Sequence, residues 1–312
     1  MSIKISGTGS FIPKNIIKNN NFLDSEFYDK NGEPYPNSNK DIIEKFELIT
    51  GIKERRYADK NHNTSDLATF ASIEAIRDAG IDKEEIDYII VAHNFGEIDY
   101  NTNQYIALPS VATLVKHKLE ISNENCVAYD IIFGCPGWVE GIIQAKAFIN
   151  SGMAKKCLVI GADTLSRTVD KNDRDSLIFA DGAGAAIVEK SEDEGGILSH
   201  KTITKAGKEA LYLFCKNSYS PKIKSKTKFI KMNGRKVYEF AISTIPNALK
   251  SCIEKSGKNI DDIKKIFLHQ ANEKLDEAVL KYFYKLYDRP IPENIMPISC
   301  LLYTSDAADE KV

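Results

Sequence analysis

Apolar residues along the first half of the chain recur with two spacings, and each predicts a different kind of element. A loose alternation from Ile3 to Ile12, interrupted by Gly7 and Gly9, predicts a strand ending at Pro13. Ile42 to Ile49 has helical spacing. Leu67, Ala68, Phe70, Ala71, Ile73, Ala75 and Ile76 predict a longer helix, with Thr64-Ser65-Asp66 offering its N-cap and Gly80 its stop. Ile86 to Ala92 is a nearly unbroken apolar run and reads as a buried strand. Val111 to Leu119 predicts a helix, Val127 to Phe133 a strand, and Lys156 to Gly161 a further buried strand. Asp181 to Lys190 reads as a Gly-rich turn entering a strand. Two stretches lack periodicity and read as polar loops: Asn19 to Lys40, and Lys201 to Lys231 with its nine lysines. Val237 to Cys252 is helical again.

The junction after Val127–Phe133 is chemically distinctive. The apolar run climbs to Gly134 and stops at Cys135; Pro136 and Gly137 follow, and a helical pattern starts with Val139, Ile142, Ile143 and Ala147. Cys135 is thereby placed on a strand-to-helix turn near the positive end of a helix dipole, a location that lowers a thiol pKa and creates a nucleophile. The same residue also reads as one more buried small hydrophobe, as most free cysteines are.

A helix, an acidic turn and a strand occur twice at an offset of 177 residues. Ala75 to Gly80 followed by Glu84 to Ala92 matches Cys252 to Gly257 followed by Asp261 to His269. A duplicated α/β half explains the match, and in such sheets ligands bind beyond the carboxyl ends of strands. Both Cys135 and His269 fall at predicted strand ends.

Composition narrows the function classes. With 312 residues, 43% of them hydrophobic, the chain can bury a substantial core. A net charge of −2 gives no bulk attraction to nucleic acid or anionic membrane. No apolar run approaches the roughly 20 residues of a spanning helix, and Met1 to Ser6 lacks the apolar core of a signal peptide. The six cysteines show neither CxxC spacing nor a disulfide framework, which fits a reducing cytoplasm and excludes a recognisable zinc motif.

Cys135 in Asp-Ile-Ile-Phe-Gly-Cys-Pro-Gly-Trp and His269 in Leu-His-Gln-Ala-Asn resemble the nucleophile and histidine motifs of the β-ketoacyl-ACP synthase III family. Gly7 to Pro13, Thr50-Gly51-Ile52 and Asp181 to Ala185 are similar to its other signatures, in the same order, so the resemblance spans residues 1 to about 299. It implies a thiolase-like α/β fold of five αβαβα layers in two duplicated halves, 1–190 with the nucleophile and 191–299 with the histidine. It also implies a homodimer that uses neither metal nor redox cofactor. The implied chemistry is decarboxylative Claisen condensation: Cys135 takes an acyl group from a CoA or ACP thioester, malonyl-ACP loses CO2 beside His269, and a 3-oxoacyl-ACP leaves. By the same resemblance Lys274 and Lys281, on the helix after the His motif, would dock an acidic acyl carrier protein.

Two departures qualify that picture. Where family members primed by coenzyme A carry a Trp and an Arg before the Thr-Gly-Ile motif, this chain has Lys45 and Ile49. A carrier-bound or longer primer follows, as in relatives making dialkylresorcinols or polyketides; a non-catalytic partner of an active homologue is the remaining alternative. The family's third catalytic residue, an Asn in a C-terminal Gly-Asn motif, is absent. Cys300-Leu-Leu-Tyr-Thr-Ser-Asp-Ala-Ala-Asp resembles a translated transposase sequencing adapter. Residues 300–312 are accordingly expected to be non-native, Cys300 included, and a chain truncated there to be incomplete and impaired.

Overall fold

The computed structural model describes residues 2–297. The expected non-native tail, 300–312, lies outside them. In chain order the first principal elements are β1 (Ser2–Phe11), α1 (Asn39–Thr50), α2 (Thr64–Ala79), β2 (Tyr88–His93), α3 (Val111–Lys118), β3 (Val127–Ile132) and α4 (Gly137–Asn150). Then come β4 (Lys156–Thr164), β5 (Asp181–Ser191), β6 (Leu213–Lys216), β7 (Phe229–Met232), α5 (Gly234–Ser256) and α6 (Glu273–Lys285).

The chain falls into two compact units. One holds the residues up to Asn15 with Arg56–Thr168 and Ala180–Leu198; the other holds Ile16–Arg55, Val169–Phe179 and the residues from Ser199 onward. The last passage from one to the other falls at 198/199. The segments 16–55 and 169–179 nevertheless group with the later residues, which a single cut does not describe.

The first unit is built on a mixed five-stranded sheet of order β1-β5-β4-β2-β3. β1 and β4 run antiparallel to β5, while β4, β2 and β3 are parallel. Alternate residues of the inner strands supply two cores. Ile89, Val91, Leu158, Ile160 and Ile187 face α2 and α3, packing on Ala68, Ala71, Ala75, Val111 and Val115. Ile90, Cys157, Val159, Ala186 and Val188 face α4, packing on Ile142, Ala145 and Ile149. Cover on both faces is why these strands read as unbroken apolar runs rather than as alternation.

Gly7 and Gly9 follow from the close seat of α2 on β1. A Cβ at Gly9 would stand 2.2 Å from the Ala71 carbonyl oxygen, and one at Gly7 2.4 Å from that of Ala75. Asp181 to Ser191 is strand throughout, paired on both edges, so its glycines are not the turn expected there. The N-cap of α2 is Asn63 rather than a residue of Thr64-Ser65-Asp66; Asp66 instead closes a capping box back to the Asn63 N–H at 2.8 Å.

In the second unit α5 and α6 pack through Leu249, Ile253, Leu280, Phe283 and Tyr284. α1 packs through Ile42 and Ile43 on Phe27 and Leu177. The buried Arg55 side chain donates to the carbonyls of Leu177 and Ile17 and to Asn19 Oδ1. Residues 213–232, expected as loop, form an antiparallel hairpin.

The internal repeat holds in part. α2 ends at Gly80 and α5 at Gly257, both left-handed C-caps (φ +65° and +71°). Lys83–Glu85 and Ile260–Asp262 follow as single 3-10 turns, each in a capping box. The copies then diverge. Residues 88–93 are β2, but 263–269, expected as the matching strand, form none among the described residues. The Ile266 N–H donates to the Ile295 carbonyl at 2.9 Å, but no ladder is assigned to this segment among the described residues.

Candidate active site

Cys135 lies in the first unit, exposed, on the turn between β3 and α4. The turn closes by a bond from the Gly137 N–H to the Gly134 carbonyl at 2.9 Å, with Cys135 and Pro136 at its corner. Gly134 has φ +75°, a conformation glycine adopts without steric cost. α4 can start there because small residues let it approach the sheet. A Cβ on Gly137 would meet Ala92 Cβ at 2.8 Å, one on Gly141 would meet Val159 Cγ1 at 2.6 Å, and Gly161 lies under Trp138. Pro136 is the cap position itself, one residue before the expected place inside the helix. The thiol thus stands two residues ahead of a 14-residue helix, whose N-terminal dipole favours an anion.

Burial separates Cys135 from the other thiols of this unit. Cys126 and Cys157 are buried in the two cores, and burial pushes them up to about 11 and about 12. Neither supplies thiolate near neutrality. Cys135, exposed on a turn, is the thiol in this unit that a substrate can reach.

Two carboxylates that stand out in no sequence pattern hold the surroundings of this turn, and a third, Asp181, anchors the start of β5. Asp130, on β3, accepts from the N–H groups of Val111 and Ala112 and stands 3.0 Å from His93 Nε2. Asp163, at the end of β4, accepts from the Asn94 N–H, the Asn94 side-chain amide at 2.7 Å and the Phe95 N–H. Burial raises its pKa while those donors pull it down. Asn94 Oδ1 in turn lies 3.0 Å from where a Cβ on Gly134 would be. Asp181 accepts from Ala58 N–H, Ser166 N–H and Ser166 Oγ, and burial raises its pKa too. A signal existed: each is a lone Asp in or beside an apolar strand, and a buried carboxylate needs donors.

His269 lies in the second unit, exposed, in the irregular segment before α6. The motif around it has structural duties. The Asn272 side chain caps α6 by accepting the Leu275 N–H at 2.9 Å, and the Gln270 amide donates to the Pro297 carbonyl at 3.1 Å. Thr50-Gly51-Ile52 ends α1 in the same unit: Gly51 is its left-handed C-cap, and a Cβ there would stand 2.9 Å from Glu273 Oε2 at the start of α6. Asp276, one turn into α6, is buried; burial pushes its carboxyl up to about 7, against the pull of His269. Lys274 is engaged with Glu277 at 3.2 Å, and Lys281 lies further along α6. Lys45 and Ile49 are both exposed on α1, Ile49 to 57%. No cluster of three or more His, Cys, Asp or Glu able to hold a metal occurs among the described residues, and none of their helices is long and apolar enough to cross a membrane.

A two-faced α/β sheet that presents an accessible cysteine at a strand-to-helix turn fits the class of proteins that work through a covalent nucleophile. Comparison with known proteins gives the family. The 3-oxoacyl-[acyl-carrier-protein (ACP)] synthase III family model matches residues 129–206. The chain is 36% identical over 279 residues to a β-ketoacyl-[acyl-carrier-protein] synthase III of Staphylococcus epidermidis, covering 89% of this chain and 79% of that protein. It is 36% identical over 287 residues to the synthase III of Fusobacterium nucleatum, covering 90% and 80%. The crystal structure of the 3-oxoacyl-[acyl-carrier-protein] synthase III of Aquifex aeolicus VF5 superimposes with a TM-score of 0.77 at 30% identity, over 97% of this chain and 85% of that one. The chain therefore belongs to the β-ketoacyl-ACP synthase III family, condensing acyltransferases of fatty-acid biosynthesis with a thiolase-like α/β fold.

Proposed function

We propose that this chain condenses an acyl thioester with malonyl-ACP through Cys135 and His269. The Cys135 thiolate attacks the thioester carbonyl and expels the carrier thiol, leaving the acyl group on sulfur; backbone N–H groups at the turn, that of Cys135 among them, hold the oxyanion. Malonyl-ACP then loses CO2. The electrons of the broken C–C bond pass to an enolate, whose oxygen accepts a hydrogen bond from His269 Nε2–H. The enolate carbon attacks the acyl carbonyl, Cys135 leaves as thiolate, and 3-oxoacyl-ACP departs. The substrates are a CoA- or ACP-borne acyl group and malonyl-ACP, Lys274 and Lys281 help to dock the carrier, and the protein works as a cytoplasmic homodimer. The division into halves 1–190 and 191–299, with 300–312 a non-native tail, belongs to the same reading.

The observation that carries this reading is the accessible Cys135 on its closed turn, in a chain whose family resemblance runs through both motifs. The test uses malonyl-ACP labelled in its free carboxyl group. Wild type releases labelled CO2, and His269→Ala loses that release while still taking up an acyl group at Cys135. A His269→Ala protein that decarboxylates normally would contradict the assigned role.

A further inference from the structure

The charge on α6 is balanced. Glu273, Asp276 and Glu277 face Lys274, Lys281 and Lys285 in number, and Lys274 is already paired with Glu277. The β6–β7 hairpin is different. From Ala210 to Asn233 the chain contains no acidic residue and six lysines. Two of these have acidic partners: Lys222 pairs with Glu26 at 2.7 Å, and Lys231, fully buried, pairs with Asp170 at 2.5 Å and Asp173 at 2.9 Å. The other four, Lys216, Lys224, Lys226 and Lys228, are exposed, and no carboxylate pairs with them among the described residues. Ile223 stands 40% exposed among them.

The lysines are also presented on an anchored support. The Lys231 ammonium sits 3.5 Å from the centroid of the Tyr219 ring. Asp170 accepts from the Tyr219 N–H at 2.8 Å and from Ser218 Oγ at 2.9 Å. The Asn217 side chain accepts from Lys228 Nζ and donates to the Ser225 carbonyl at 3.2 Å. A buried ion cluster at the base thus fixes the loop that carries the positive charge, so little ordering remains to be done on binding.

We propose that this hairpin is a docking surface for the acidic acyl carrier protein, additional to the lysines of α6. The proposal rests on the condensation reading above, which delivers the malonyl group on a carrier. A net charge of −2 for the whole chain disfavours an extended polyanion, whereas a local patch of four lysines with an apolar residue among them matches a small acidic protein surface.

The test measures anisotropy of fluorescently labelled malonyl-ACP with the full chain and with a Lys224→Gln/Lys226→Gln/Lys228→Gln variant, at low and at physiological salt. The variant is expected to bind about tenfold more weakly at low salt and to show a shallower salt dependence. Its turnover of malonyl-pantetheine, which has no carrier to dock, is expected to equal wild type. Carrier binding as tight as wild type overturns the proposal, as does tighter binding of wild type to a DNA duplex or to phosphatidylglycerol vesicles than to the carrier. A wild type that binds the carrier through these lysines but turns over neither malonyl substrate supports the docking surface and sinks the condensation reading alone.

Discussion

His93 Nε2 stands 3.0 Å from Asp130 Oδ2, and the same carboxylate accepts the first two N–H groups of α3 at 2.8 Å each. With the Thr113 N–H on Ser110 Oγ and the Leu114 N–H on the Ser110 carbonyl, every donor in that first turn is accounted for. One carboxylate therefore joins the end of β2, the start of α3 and β3, the edge strand that leads to Cys135. The two side chains are 1% and 16% exposed, so the pair is largely removed from water.

Asp130→Ala removes the acceptor and leaves a buried imidazole and two helix N–H groups unsatisfied. The expected loss is about 3–5 kcal/mol in urea-induced unfolding. A loss below about 1 kcal/mol would mean that water replaces the carboxylate and that the pair does not hold the strand.

Gly134→Ala forces a left-handed conformation on a residue with a Cβ, and that Cβ would stand 3.0 Å from Asn94 Oδ1. The conformation alone costs about 1–2 kcal/mol. Because Cys135 is the next residue, its acylation rate is expected to fall by more than stability accounts for, about tenfold or beyond. An acylation rate equal to wild type in a folded variant would show that the turn does not position the thiol.

Asp276 makes stability depend on pH. Its carboxyl is raised from 3.8 to about 7 by burial, so the folded chain keeps the proton where the unfolded chain has released it. The stabilisation from this site is therefore fully present below about pH 4, falls as pH rises to about 7, and is level above that. Asp276→Asn removes the slope and is expected to exceed wild type at pH 8 by on the order of 2–4 kcal/mol. Denaturant unfolding across that range checks it; a variant less stable than wild type at pH 8 would show that the charged carboxylate is satisfied.

The parts of this molecule legible in the sequence are those decided by local pattern. Both faces of β2 and β4 are covered, so Ile86 to Ala92 and Lys156 to Gly161 stood out as runs, and the glycines at 80 and 257 marked helix ends. Cys135 was legible because strand, glycine, proline and helix follow one another directly. The carboxylates that frame it were legible only as buried acids in need of donors; their partners were not, since Asp163 meets Asn94 across 69 residues and Asp130 meets His93 across 37. The 213–232 hairpin was hidden by its polarity: β6 and β7 form a two-stranded sheet, to which the described residues add a single bridge from Val169 to Ile230, so their apolar residues need not alternate. Residues 263–269 carry a strand-like sequence, but pattern specifies a face to cover and not a neighbouring strand to pair with.

The proposed reaction depends on transfer of the acyl group to Cys135. Intact-protein and peptide mass spectrometry after incubation with an acyl-CoA or acyl-ACP tests it most directly. One acyl mass is expected, on the peptide containing Cys135, removed by hydroxylamine and absent from Cys135→Ala. No adduct on the wild-type protein, or an adduct that persists in Cys135→Ala, would contradict it and favour a chain that serves an active homologue without catalysing.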